Sequence, residues 1–253
     1  GGGDDIINWD MIQYSQWDKN FSSVDEASRT YILTGSLDGG DGEDTLTLNF
    51  SNNYFYHAWG GNTWSLSESP SWYVSLTGLD LTNIETLTII SDQGRDYATP
   101  SGFLLTSGQL SSLDKATGLT AVIIKGGGTV DLNKLAALNI TDWEIGDDLA
   151  YTFQGTANSE TIEVGRGLST VSSGKGNDFI KIDNTSSKSN VIDGGVGQDT
   201  LVISGADVDL SGVSLTSIEE IRVSSQSLAM NESQWAELAS IVQIVPGAVT
   251  EFT

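Results

Sequence analysis

The sequence has no cysteine and one histidine, His57, in 253 residues. Without thiols there is no disulfide framework, no cysteine-ligated zinc, no iron–sulfur cluster and no thiolate nucleophile. A Ser/His/Asp triad or a multi-histidine metal site would hang on His57 alone, which leaves hydrolase and transition-metal chemistry little to stand on. Positive charge is also scarce: 11 Lys and Arg face 34 Asp and Glu, a formal net charge of −23. Such a surface repels phosphates, so neither nucleic acid nor an anionic membrane is an expected partner. The same carboxylate surplus suits a hard cation that takes oxygen ligands. No apolar run approaches the roughly 18 residues of a membrane span, and the opening Gly1-Gly2-Gly3-Asp4-Asp5 reads as a linker rather than a leader. Membrane insertion is not expected; a monomeric module of a longer chain is. With 29 Gly and only 3 Pro, tight turns should punctuate β-forming runs of Val, Ile, Thr and Leu.

What is there, first, is a duplication. Leu37-Asp38-Gly39-Gly40-Asp41-Gly42-Glu43-Asp44-Thr45-Leu46 matches Ile192-Asp193-Gly194-Gly195-Val196-Gly197-Gln198-Asp199-Thr200-Leu201. Leu79 to Glu85 matches Val213 to Glu219, and Leu105 to Leu110 matches Met230 to Trp235. The spacing between matched segments shrinks along the chain, so the first copy (about 33–125) carries insertions at 49–75 and 91–100 that the second (about 155–247) lacks. Each copy contains a capping-box pattern, Thr106…Gln109 and Asn231…Gln234, which predicts one short helix per copy among strands.

The first insertion holds Phe50, Tyr54, Phe55, Tyr56, His57, Trp59, Trp64, Trp72 and Tyr73, with Asn52, Asn53 and Asn62 between them. It is either a local core under a long loop or a recognition loop mounted on a finished scaffold. In the second reading Tyr54, Tyr56, His57, Trp59, Trp64 and Trp72 supply apolar contact and the three asparagines polar fixing. Arg95 in the second insertion would meet a ligand carboxylate.

Residues 155–202 divide into five turns of nine with one three-residue break, 182–184. The eighth position is apolar in every turn: Ile162, Val171, Ile180, Ile192 and Leu201. The sixth is Glu160, Ser169, Asp178, Asn190 and Asp199. Ser173 to Ile180, with Gly174 and Gly176, and Gly194 to Leu201, with Gly195 and Gly197, resemble the calcium-binding nonapeptide G-G-x-G-x-D-x-U-x of RTX proteins. The resemblance implies an all-β fold containing a parallel β-roll or β-solenoid segment, in which turns two apart stack and share calcium. Glu160 with Asp178, and Asp178 with Asp199, would each hold an ion; Ser169 and Asn190 lack the charge. Asp44 in the first copy has a matching turn, and its ion would draw on Asp38 and Asp41. Asp147-Asp148 reads as an ordinary turn.

No catalytic constellation emerges. G-x-S-x-G is absent, the Gly-rich runs precede strands rather than helices, and no carboxylate pair stands out. The duplicated β scaffold carrying an aromatic insertion is similar to a ligand-binding module of a long bacterial RTX adhesin, a resemblance that implies several calcium ions, an extracellular bacterial cell surface, and a peptide or glycan partner on another cell. The alternatives are a structural RTX spacer or S-layer-like domain that folds on calcium and, third, a secreted polysaccharide-acting enzyme.

Overall fold

A computed structural model describes residues 2–10, 22–25, 30–50, 73–91, 100–165, 167–182, 190–204, 207–224, 227–244 and 251–252. The described chain is mostly β-strand in largely parallel sheets, with three short helices, Ser107–Ser112, Leu132–Ala137 and Glu232–Leu238. None is long and apolar enough to cross a membrane. The first and third carry the expected capping boxes: the Thr106 hydroxyl accepts the Gln109 N–H and the Asn231 side chain accepts that of Gln234, while each glutamine side chain returns to the cap backbone. The second, Leu132–Ala137, has no such box; the Asp131 carboxylate accepts the N–H of Asn133 and of Lys134 instead.

The chain divides into two compact units, 1–123 with 135–143, and 124–134 with 144–253. In the first, a parallel sheet runs Ile6–Asp10, Thr45–Asn49, Thr86–Ile90, Lys115–Thr117. A second sheet runs Ser22–Asp25, Thr30–Asp38, Tyr73–Thr82, Gly102–Thr106 and continues through Ala121–Lys125 and Asp142–Ile145, whose last residues belong to the second unit. Ser22–Asp25 is antiparallel to Thr30–Asp38, which is parallel to Tyr73–Thr82, itself parallel to Gly102–Thr106. Leu46, Leu48, Leu76, Leu87 and Leu105 are fully buried, and Phe50 meets Phe103 edge-on at 6.0 Å.

In the second unit, Gly128–Asp131, Tyr151–Gln154, Ser169–Ser172, Val191–Asp193 and Ser214–Thr216 form one parallel sheet. Thr161–Val164, Phe179–Ile182, Thr200–Ile203, Glu220–Val223 and Val242–Ile244 form another. Between 151 and 203 the chain alternates strand by strand between the two, so each nonapeptide turn pairs with the turn two away. Thr161 stands opposite Phe179 and Phe179 opposite Thr200, steps of 18 and 21 residues; the longer step contains the three-residue break. The apolar eighth positions thereby form two inward rows, Ile162–Ile180–Leu201–Ile221 and Phe153–Val171–Ile192–Leu215. Except for Leu215 these side chains are at most 1% exposed. The period of nine, with its one three-residue break, therefore works as burial: it returns an apolar residue to the interior once per strand.

Candidate metal centre

The sixth position of each Gly-rich turn closes the turn before its strand begins, and at Glu160, Asp178 and Asp199 the backbone and an acidic side chain meet there. The N–H of Glu160 donates to Asp178 Oδ1 at 2.8 Å, the N–H of Asp178 to Asp199 Oδ1 at 2.8 Å, and the N–H of Asp199 to Glu219 Oε2 at 2.8 Å. The first copy repeats the row: the N–H of Asp5 donates to Asp44 Oδ1 at 2.7 Å and that of Asp44 to Glu85 Oε2 at 2.8 Å. Each acid thus satisfies the coil before it with one oxygen.

The other oxygen is the anomaly. Asp44, Asp178 and Asp199 are 0% exposed, and the Oδ2 of each lacks any hydrogen-bond donor. Among the described residues these three are the buried side-chain polar atoms left without a partner. Leaving a buried acceptor unsatisfied costs roughly 1–3 kcal/mol, and more when the group is charged. Burial pushes the Asp178 and Asp199 carboxyls above their ordinary value, against the N–H each accepts and, at Asp178, against the nearby Ser173 hydroxyl; nearby carboxylates (Glu160 for Asp178; Asp178, Glu219 and Asp193 for Asp199) push the same way as burial.

The turns are drawn tight around these oxygens. Gly195 has φ +78°, and a Cβ there would fall 2.1 Å from the carbonyl oxygen of Gly174, itself at φ +96°. Among the described residues no three His, Cys, Asp or Glu side chains gather closely enough to hold an ion by themselves. A cation at this row would therefore combine an Asp Oδ2 with backbone carbonyls. An orphaned carboxylate oxygen in a glycine-lined, oxygen-rich turn fits a hard cation, calcium above all, which supplies charge compensation and takes oxygens from flexible backbone.

Glu160 is differently placed: both of its oxygens are taken by its own turn, through the N–H and hydroxyl of Thr156. Asn190 repeats the row geometry without charge, its Oδ1 accepting the Ser169 N–H at 2.8 Å. In the first copy, the opening residues are not a linker. Gly2 bridges to Asp41, the Gly3 N–H donates to the Asp41 carbonyl, and Asp4 Oδ1 accepts the Glu43 N–H, so 2–5 form the coil on which Asp44 stacks. Asp38 Oδ1 bonds the Gly40 N–H and the Asn83 amide, while Asp41 is exposed. Asp147 is a turn residue, accepting the Gly126 and Leu149 N–H and the Tyr151 hydroxyl; burial and that bond push the Tyr151 phenol up to about 12.

Sequence reasoning missed Asp5, Glu85 and Glu219 as members of the acidic rows. The signal was present for Asp5: Gly1-Gly2-Gly3-Asp4-Asp5-Ile6-Ile7 has the G-x-G-x-D-x-U pattern of Gly174 to Ile180. Asn52, Asn53, Tyr54, Tyr56, His57, Trp59, Asn62, Trp64, Trp72 and Arg95 lie outside the described residues. No family model, curated protein or solved structure matches the chain.

Proposed function

We propose that the chain is a calcium-ordered extracellular adhesion module of the RTX type: a parallel β-roll whose coils are tied by ions along the acidic rows, and which displays its aromatic insertion to a peptide or glycan on another cell. The observation that carries the reading is the orphaned, fully buried Oδ2 recurring at Asp44, Asp178 and Asp199. Asp178 and Asp199 would hold calcium together with carbonyls of their Gly-rich turns, Gly174, Gly176, Gly195 and Gly197 among them. Asp44 would do the same in the first copy.

A chain with net charge −23 that must bury carboxylates has little reason to be compact where calcium is scarce. Ion binding outside the cell supplies folding free energy, because the unfolded chain offers no assembled site. The adhesive part of the reading is supported by position: 51–72 joins Thr45–Asn49 to Tyr73–Thr82, whereas the second copy passes from Thr200–Ile203 to Asp207–Asp209 through a few residues. The second copy closes without a counterpart of 51–72, which supports a recognition role for that insertion.

Circular dichroism during a calcium titration tests the first part, with a cooperative gain of β signal expected; a spectrum unchanged by EDTA refutes it. A glycan array and a C-terminal peptide library, each run with calcium and with EDTA, test the second. Calcium-dependent folding without calcium-dependent ligand capture would leave the purely structural spacer, a reading favoured by the burial of Asp44, Asp178 and Asp199 inside the scaffold.

A further inference from the structure

The acidic rows extend past the Gly-rich repeat. Glu85 and Glu219 belong to coils with no glycine turn, Leu81-Thr82-Asn83-Ile84-Glu85 and Leu215-Thr216-Ser217-Ile218-Glu219. Yet each accepts the N–H of the preceding Asp at 2.8 Å, just as Asp178 and Asp199 serve the coil before them. The residue two before each Glu takes the left-handed conformation although it is not glycine: φ is 52° at Asn83 and 53° at Ser217.

That turn brings a carbonyl oxygen toward the orphaned carboxylate. A Cβ built on Gly39 would lie 2.1 Å from Asn83 O and 2.5 Å from Asp44 Oδ2, so both oxygens flank one point. In the second copy a Cβ on Gly194 would lie 2.1 Å from Ser217 O and 2.7 Å from the Cβ of Asp199. In the first copy the partnerless Oδ2 of buried Asp44 thus sits beside a carbonyl of the Glu-bearing coil, and in the second the side chain of buried Asp199 does, while the Glu carboxylate holds the N–H of that same Asp. The set is all oxygen and carries two negative charges, the ligand chemistry of a hard divalent cation.

We propose that Glu85 and Glu219 are calcium ligands, each closing its row with a capping position made of Asp44, Asn83 O and Glu85 in one copy and Asp199, Ser217 O and Glu219 in the other. These positions lie outside the nonapeptide pattern and are equivalent through the duplication. The proposal rests on the calcium reading above and adds to it two ligands that no glycine turn announces.

The test uses the full chain and the variants Glu85→Gln, Glu219→Gln and the double variant. Gln keeps an oxygen for the Asp44 or Asp199 N–H and removes only the charge. Calcium stoichiometry and affinity are read by equilibrium dialysis, and melting temperature is read in EDTA and in saturating calcium. Each single variant is expected to lose one ion, or to weaken one binding step by about 10- to 100-fold, and the double variant two. Melting in EDTA is expected to stay the same or rise while the calcium-induced increment shrinks. Unchanged stoichiometry and affinity overturn the proposal, as does an equal loss of melting temperature with and without calcium, which would mark the glutamates as purely structural. If the unaltered chain binds no calcium, the calcium reading itself falls, an outcome separate from a bound chain indifferent to the two glutamates.

Discussion

Replacing Asp199 with Asn should change stability in opposite directions depending on calcium. Asp199 is 0% exposed; its Oδ1 takes the Asp178 N–H at 2.8 Å and its Oδ2 has no donor. In EDTA, Asn keeps the first bond and exchanges the orphaned, charged acceptor for an NH2 next to the Ser217 carbonyl that crowds Gly194. Removing that penalty is worth about 1–3 kcal/mol. At about 2–4 °C per kcal/mol for a chain of this size, melting should rise by roughly 2–12 °C. With calcium in about hundredfold excess over its dissociation constant, each ion stabilises by about 2.7 kcal/mol. Asp199 faces Asp178 on one side and Glu219 on the other, so one or two such contributions are lost. Set against the gain of about 1–3 kcal/mol, the net loss is up to about 4 kcal/mol, and with both ions lost melting should fall by roughly 5–18 °C. Thermal unfolding followed by far-ultraviolet circular dichroism reads both arms. A loss of similar size in EDTA and in calcium refutes the reasoning, because it would make the carboxylate a satisfied structural group.

In EDTA, stability should rise on acidification from neutral pH: the folded-state values of Asp178 and Asp199 lie above their ordinary 3.8, so the folded chain binds protons more tightly and this stability is lost as pH rises through those raised values. In calcium the slope should reverse as protons displace the ion, and Asp178→Asn with Asp199→Asn should flatten the EDTA arm; melting curves against pH with both arms sloping alike would contradict this. Gly194→Ala should cost at least about 1–3 kcal/mol in chemical denaturation, since its Cβ would sit 2.1 Å from Ser217 O. Gly108→Ala, in the helix Ser107–Ser112 with nothing nearer than 3.8 Å, should instead gain about 0.5–1 kcal/mol. Gln234→Ala removes bonds to the Leu210 and Val213 carbonyls and to the Asn231 N–H, and Gln109→Ala their counterparts at Leu76, Leu79 and Thr106. Each should cost about 2–4 kcal/mol, and a large difference between the two would argue against equivalent roles in the two copies.

The duplication was legible because it is written in residues that only one backbone geometry tolerates. The matched glutamines make the same pair of carbonyl bonds in both copies, and matched Asn83 and Ser217 share a left-handed φ. The apolar eighth position was legible because burial acts once per strand and leaves a period in the sequence. The N-terminal coil was not, although its pattern is complete: a glycine triplet has the composition of a linker, and what makes it a coil is the distant Asp41 to Asp44 segment that supplies its hydrogen bonds. Glu85 and Glu219 were hidden for the opposite reason. Their coils have no glycine signature, and their place in the rows depends on parallel pairing of Thr45–Asn49 with Thr86–Ile90 and of Thr200–Ile203 with Glu220–Val223, contacts that no local spacing encodes.

The neutral turn at Asn190 shows what folding alone requires of the sixth position. There an amide oxygen accepts the Ser169 N–H at 2.8 Å, the side chain is 2% exposed, and no orphaned atom results. The same scaffold closes the same backbone bond with a carboxylate at Asp44, Asp178 and Asp199, at the cost of three buried oxygens without donors. Hydrogen bonding therefore does not account for the acid, since the amide does that part of the work without the penalty. What the carboxylate adds over the amide is a negative charge and an acceptor with no proton of its own, and on the calcium reading proposed above both have their value in serving the ion. Restricting the charge to one side of the stacked coils, with Ser169 and Asn190 on the other, places that value along a single row in each copy.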